Sequence, residues 1–170
     1  MQIDSEKLTP PLKARLRNYQ HYGFKWINYL HEHNLGGCLA DDMGLGKTLQ
    51  AITMLSRVYA GGEKAPSLVV GPRSLLQNWQ KECEKFAPQL HTHIHYGADR
   101  DWEKATEAQV IITTYALMRN DIKTIKETAL HYAILDESQN IKNLEAQTTR
   151  AAFMLNAKHR VRAERYACRK

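Results

Sequence analysis

The chain has 170 residues, one ordinary domain's worth, of which 43% are hydrophobic and 25% charged, and this excludes a disordered or fibrous protein. No apolar run approaches the ~18 residues of a membrane span, and the polar start MQIDSEKLTPPLK has no apolar stretch of the kind a secretory signal needs. Cys38, Cys83 and Cys168 lie far apart, which argues against a disulfide framework or a zinc knuckle and for a reducing compartment, while the net charge of +6 permits a polyanionic partner without requiring one.

Residues 1–14 read as a polar lead-in containing Pro10-Pro11. From Arg15 to His33 the apolar positions Leu16, Tyr19, Phe24, Trp26, Ile27 and Leu30 suit an amphipathic helix, broken by Asn34-Leu35-Gly36-Gly37. Cys38-Leu39-Ala40 is a short apolar run that leads into DDMGLGKT. Thr48 to Tyr59 has helical spacing and stops at Gly61-Gly62. Ser67 to Val70 reads as a buried strand, and Ser74 to Phe86 as a helix. Leu90 to His95 alternates like a strand, and Val110-Ile111-Ile112 and Tyr132 to Leu135 are further apolar runs. Ala146 to Leu155 reads as another helix. Apolar strands separated by helices predict an α/β fold with a mostly parallel sheet and helices on both faces. Ligands in such folds sit at the carboxyl ends of the strands. The unusual polar clusters all fall there.

Two clusters carry chemistry. The first is Asp41-Asp42-Met43-Gly44-Leu45-Gly46-Lys47-Thr48, between an apolar run and a helix. Glycines let backbone N–H groups close around phosphate, and the helix N-terminus adds positive potential. Lys47 can then reach the β- and γ-phosphates, and the Thr48 hydroxyl can ligate Mg²⁺. The strict P-loop pattern has glycine where this chain has Asp41. The second cluster is Asp136-Glu137, after the apolar run that ends at Leu135. Asp136 would hold Mg²⁺, and Glu137 would orient or deprotonate the attacking water. Together they predict a nucleoside-triphosphatase site binding ATP and Mg²⁺.

Five ordered segments resemble the Swi/Snf-type ATPases of helicase superfamily two, bacterial members included: LRNYQHYGFKWI, LADDMGLGKTLQAI, VVGPRSLLQNWQKECEKF, IITTYALMRND and ILDESQNIKN. The family shares the Asp-Asp in place of the P-loop glycine. The resemblance implies that residues 15–161 form a RecA-like P-loop lobe, the first of two. It implies adenine contact at Gln20, nucleotide contact from Asp42 through Leu49, and catalytic roles for Lys47, Asp136 and Glu137. It also implies that Thr113, Thr114 and Tyr115 lie along double-stranded DNA; these three and Arg73 all follow predicted strand ends, where they can contact the DNA backbone without regard to sequence. The activity implied is ATP-driven translocation on duplex DNA, in a bacterial cytoplasm close to the nucleoid. The partners implied are a second RecA-like lobe and a DNA-bound complex such as RNA polymerase; no membrane is involved.

The remaining features are plainer. His91, His93 and His95 share one face of a strand, but no further ligand has metal spacing nearby. Trp26, Trp79 and Trp102 read as packing residues, and Lys123 and Lys126 as a solvated helix face. From Asn156 to Lys170, six basic residues face one acid, Glu164, so this stretch holds most of the net charge. AKHRV there fits the start of the family's next motif, and RAERYACRK does not. One allowed set of codons for RAERYACRK, read one base later, spells Ala-Leu-Ser-Gly-Thr-Pro-Val-Glu, a good version of that motif. Residues 162–170 are therefore expected to be an out-of-frame basic tail. On that expectation the isolated chain ends before lobe two and hydrolyses little ATP. The alternative is a stand-alone nucleotide- or DNA-binding module with a genuine basic tail.

Overall fold

The computed structural model describes residues 37–40, 47–136 and 146–164. Strand β1 (Gly37–Ala40) precedes helix α1 (Lys47–Ala60) and strand β2 (Ser67–Gly71). A single 3₁₀ turn, Arg73–Leu75, runs directly into α2 (Leu76–Phe86). Then come β3 (Thr92–Ile94), α3 (Trp102–Ala105) and β4 (Val110–Thr114). Two short helices, α4 (Tyr115–Asn120) and α5 (Ile122–Ile125), lead to β5 (Leu130–Asp136). The described chain closes with α6 (Ala146–Met154) and β6 (Ala157–Glu164).

The six strands form one sheet in the order β1-β6-β5-β2-β4-β3, and every pairing is parallel. The expected α/β architecture is therefore present. The strands read as unbroken apolar runs because both faces of the sheet are covered. Side-chain alternation splits each strand between two cores. Val69, Val110, Ile112, Tyr132 and Ile134 meet Ile52, Met54 and Leu55 of α1 and Trp79 and Cys83 of α2. Leu68, Val70, Ile111 and Ala133 meet Trp102, Met118, Ile125, Ala151 and Ala152 from α3, α4, α5 and α6.

β6 is the central surprise of the sheet. It lies between β1 and β5, with Val161 opposite both Gly37 and Ile134 and Ala163 opposite both Leu39 and Asp136. The tail expected from 162 onward therefore begins inside a strand, because parallel pairing uses backbone groups that any non-proline residue supplies. One of the basic residues there also has a structural task. The Arg160 guanidinium donates to the carbonyls of Ala152 and Phe153 at the end of α6, where cations suit the helix dipole.

Candidate nucleotide site

Both halves of the expected site arrive at the carboxyl end of the sheet. Lys47 opens α1 after β1, and Asp136 is the last residue of β5. The Lys47 Nζ lies 3.0 Å from Asp136 Oδ1, with 7% and 2% of the two side chains exposed. Charges this deep persist only when paired and hydrogen-bonded. The second carboxylate oxygen is also engaged: the Trp79 indole Nε1–H donates to Asp136 Oδ2 at 2.7 Å. The backbone carbonyl of the same residue accepts from the Tyr115 hydroxyl at 2.7 Å. Gly71, at the end of β2, borders the carboxylate closely; a Cβ there would sit 3.4 Å from Asp136 Cβ.

Thr48 and Leu49 follow Lys47 on the first turn of α1, both half-buried. Gln20, Asp41, Asp42, Met43, Gly44, Leu45, Gly46 and Glu137 lie outside the described residues. The donor set within them fits a magnesium nucleotide: the Lys47 ammonium meets the Asp136 carboxylate, and the Thr48 hydroxyl is the next residue on α1, so phosphate and Mg²⁺ would each find a hard partner. Lys47, Thr48 and Asp136 would hold the group, which when bound supplies the charge neutralisation that phosphoryl transfer needs. Among the described residues no group of three or more histidines, cysteines or carboxylates could hold a metal ion.

The four residues expected along DNA are placed differently from one another. Arg73 is exposed on the turn before α2, its guanidinium 5.3 Å from the centre of the Tyr96 ring. Thr113 is fully buried, its hydroxyl donating to the His95 carbonyl at 2.8 Å. The Thr114 hydroxyl caps α4 by accepting from Leu117 N–H at 3.1 Å. Tyr115 is buried against the end of β5. In this state three of the four side chains are spent on internal contacts and one faces solvent.

Of the three alternating histidines, His95 is buried with its Nε2 2.8 Å from Asp121 Oδ2, whereas His91 is exposed. Arg100 joins them with Nε 2.7 Å and an NH2 nitrogen 2.9 Å from the two Asp121 oxygens. The Arg100 hydrogen bonds, helped by His95, hold the Asp121 carboxyl below its ordinary range. Burial pushes the Cys83 thiol up to about 12, with Glu82 and Glu84 adding to the effect, so Cys83 is an inert core residue.

The helical spacing of residues 74–86 reads Trp79 as a packing residue and gives no sign of its hydrogen bond to Asp136. The two residues are 57 apart in the chain. Only a signal that a buried indole needs an acceptor could have suggested a partner.

A family model, SNF2-related domain, matches residues 19–162. The chain is 40% identical over 165 residues to YwqA of Bacillus subtilis, an ATP-dependent helicase/translocase by name, covering 94% of this chain and 18% of that protein. It is 36% identical over 169 residues to helicase swr1 of Schizosaccharomyces pombe, covering 94% of this chain and 13% of the relative. Among solved structures it is similar to the Sulfolobus solfataricus SWI2/SNF2 ATPase core in complex with dsDNA. That match has a TM-score of 0.86 and 40% identity over 95% of this chain and 35% of the other. The chain thus spans less than a fifth of these curated relatives and about a third of the solved core.

Proposed function

Because this chain belongs to the SNF2-related family, we propose that it is the ATP-binding lobe of a motor that translocates along double-stranded DNA. The observation that carries the reading is the buried contact of 3.0 Å between Lys47 and Asp136 at the carboxyl end of the sheet. An ammonium and a carboxylate held there, beside a helix N-terminus, are poised to exchange each other for phosphate and Mg²⁺. Lys47 takes the phosphates, Thr48 and Asp136 take Mg²⁺, and Glu137 serves the attacking water. Gln20 contacts adenine, and Asp42 through Leu49 contact the nucleotide. The same chemistry needs a charge from a second lobe to complete the transition state, since such an arginine contributes roughly 10³–10⁵ in rate.

On the DNA side, Arg73 supplies a phosphate contact, and the strand end Thr113-Thr114-Tyr115 supplies the backbone beneath it. Binding there is independent of sequence and weakens with salt. The motor works in the cytoplasm on DNA, against a DNA-bound complex of the RNA polymerase kind.

The test is equilibrium binding of a fluorescent ATP analogue with Mg²⁺. Lys47→Ala should abolish binding, while Lys47→Arg keeps the charge that Asp136 requires and serves as the folded control. Undiminished binding by Lys47→Ala overturns the reading. A second reading, a nucleotide- and DNA-binding module with a genuine basic tail, draws on β6 continuing through Glu164. It predicts that DNA binding survives in Lys47→Ala and is lost when the basic residues after Glu164 are neutralised.

A further inference from the structure

We propose that Trp79 is a positioning residue for magnesium: its indole fixes the rotamer in which Asp136 receives the ion. The inference rests on the nucleotide reading above and goes beyond it, because it assigns a role to a side chain outside both phosphate clusters.

Asp136 has two carboxylate oxygens in different hands. Oδ1 meets Lys47 and Oδ2 meets Trp79. These two partners are not equivalent once a nucleotide arrives. The Lys47 ammonium is drawn to the phosphates and leaves Oδ1. The Trp79 indole has no comparable reason to move. It is 1% exposed, it has only two side-chain torsions, and it is packed in the core with Leu76, Cys83 and Ile134. Its contact of 2.7 Å holds Oδ2 and so leaves Oδ1 turned toward the space that Lys47 vacates.

The chemistry of indole suits this task. Its N–H is a donor with no acceptor capacity, so it can orient a carboxylate without ligating the metal. It carries no charge, so it does not compete with Mg²⁺ electrostatically as a lysine or arginine would. Gly71 on the neighbouring strand lies beside this carboxylate; a Cβ there would come into van der Waals contact, 3.4 Å from Asp136 Cβ and 4.0 Å from Oδ2. Without the Trp79 contact Asp136 has one restraint fewer on its rotamer, and magnesium binding would have to supply it.

The experiment is a Mg²⁺ titration of ATP-analogue binding by the full chain, wild type against Trp79→Phe. Phenylalanine keeps the apolar ring and removes the donor. Nucleotide binding without Mg²⁺ should be the same in both. The Mg²⁺ concentration for half-maximal strengthening should rise about tenfold in Trp79→Phe, the loss expected for a hydrogen bond to a charged group. An unchanged Mg²⁺ midpoint in a folded Trp79→Phe overturns the proposal and leaves the nucleotide reading standing. Absence of nucleotide binding in the wild type overturns both. If Trp79→Phe fails to fold, Trp79 is followed as the single tryptophan of a Trp26→Phe/Trp102→Phe chain. Its emission should respond when Mg²⁺ is added to the ATP-bound protein, and an emission indifferent to Mg²⁺ overturns the proposal.

Discussion

At the scale of single residues, two ion pairs show how burial decides what a charge is worth. Lys47 and Asp136 are almost fully buried, so removing one partner strands the other in a low-dielectric core. Such losses run to roughly 3–5 kcal/mol. Lys47→Ala should therefore melt well below the wild type as well as lose nucleotide, and Lys47→Arg should melt closer to it. Asp121, with Arg100 and His95, is about a fifth exposed and speaks instead through pH. Its folded carboxyl titrates below the unfolded value of about 3.9, chiefly because of Arg100. A depressed carboxylate stabilises above the unfolded value, and the benefit disappears as pH falls through the folded one. The stability difference between wild type and Asp121→Asn should thus be flat near neutrality and shrink below about pH 4. Urea unfolding at a series of pH values checks this, and a gap that widens in acid would contradict it.

At the scale of elements, the periodicity of the chain located α1, α2 and α6 to within a residue or two. β1, β2, β4 and β5 were legible as apolar runs whose ends pairing extended, as where β4 runs on through Thr113 and Thr114, whereas β3 is shorter than the alternating stretch and the basic β6 carries no apolar run to read. The short helices α3 and α4 were not, because four to six residues carry too little periodicity to read. Thr113 and Thr114 illustrate the other limit: a hydroxyl after a strand can face a ligand or finish the local structure, and here both hydroxyls do the latter. β6 is the element on which the site depends most. It bridges β1, which leads to Lys47, and β5, which ends at Asp136. Val161→Pro removes an N–H in the middle of this two-sided strand, where proline is not tolerated. Circular dichroism and thermal unfolding should show a grossly destabilised lobe; a native-like melt would mean β6 is dispensable.

At the scale of the whole molecule, the described lobe brings Lys47 and Asp136 together, but the chain spans about a third of the solved core it resembles. The 170-residue chain alone is therefore expected to bind Mg²⁺·ATP and turn it over slowly, with little stimulation by duplex DNA. Steady-state phosphate release with and without DNA is the measurement, and strong stimulation would show that no second lobe is needed. Phe153 and Met154 stand exposed at the end of α6, and nothing in the described residues covers them.

What the amino-acid sequence determined by itself was local. Glycines ahead of Lys47 and Thr48, an apolar run ending in Asp136-Glu137, and alternating helical and apolar segments each depend on neighbours a few residues away. These were enough for the parallel α/β sheet and for placing Lys47 and Asp136 at the carboxyl ends of its strands. Tertiary structure alone decided which side chains surround them. Trp79 meets Asp136 only because α2 and the inner strands contribute side chains to one core. Tyr115 reaches the Asp136 carbonyl because β4 and β5 both pair with β2 and end at the same edge of the sheet. Neither contact leaves a local pattern, because an indole or phenol buries its ring by the same spacing whatever acceptor its polar end finds.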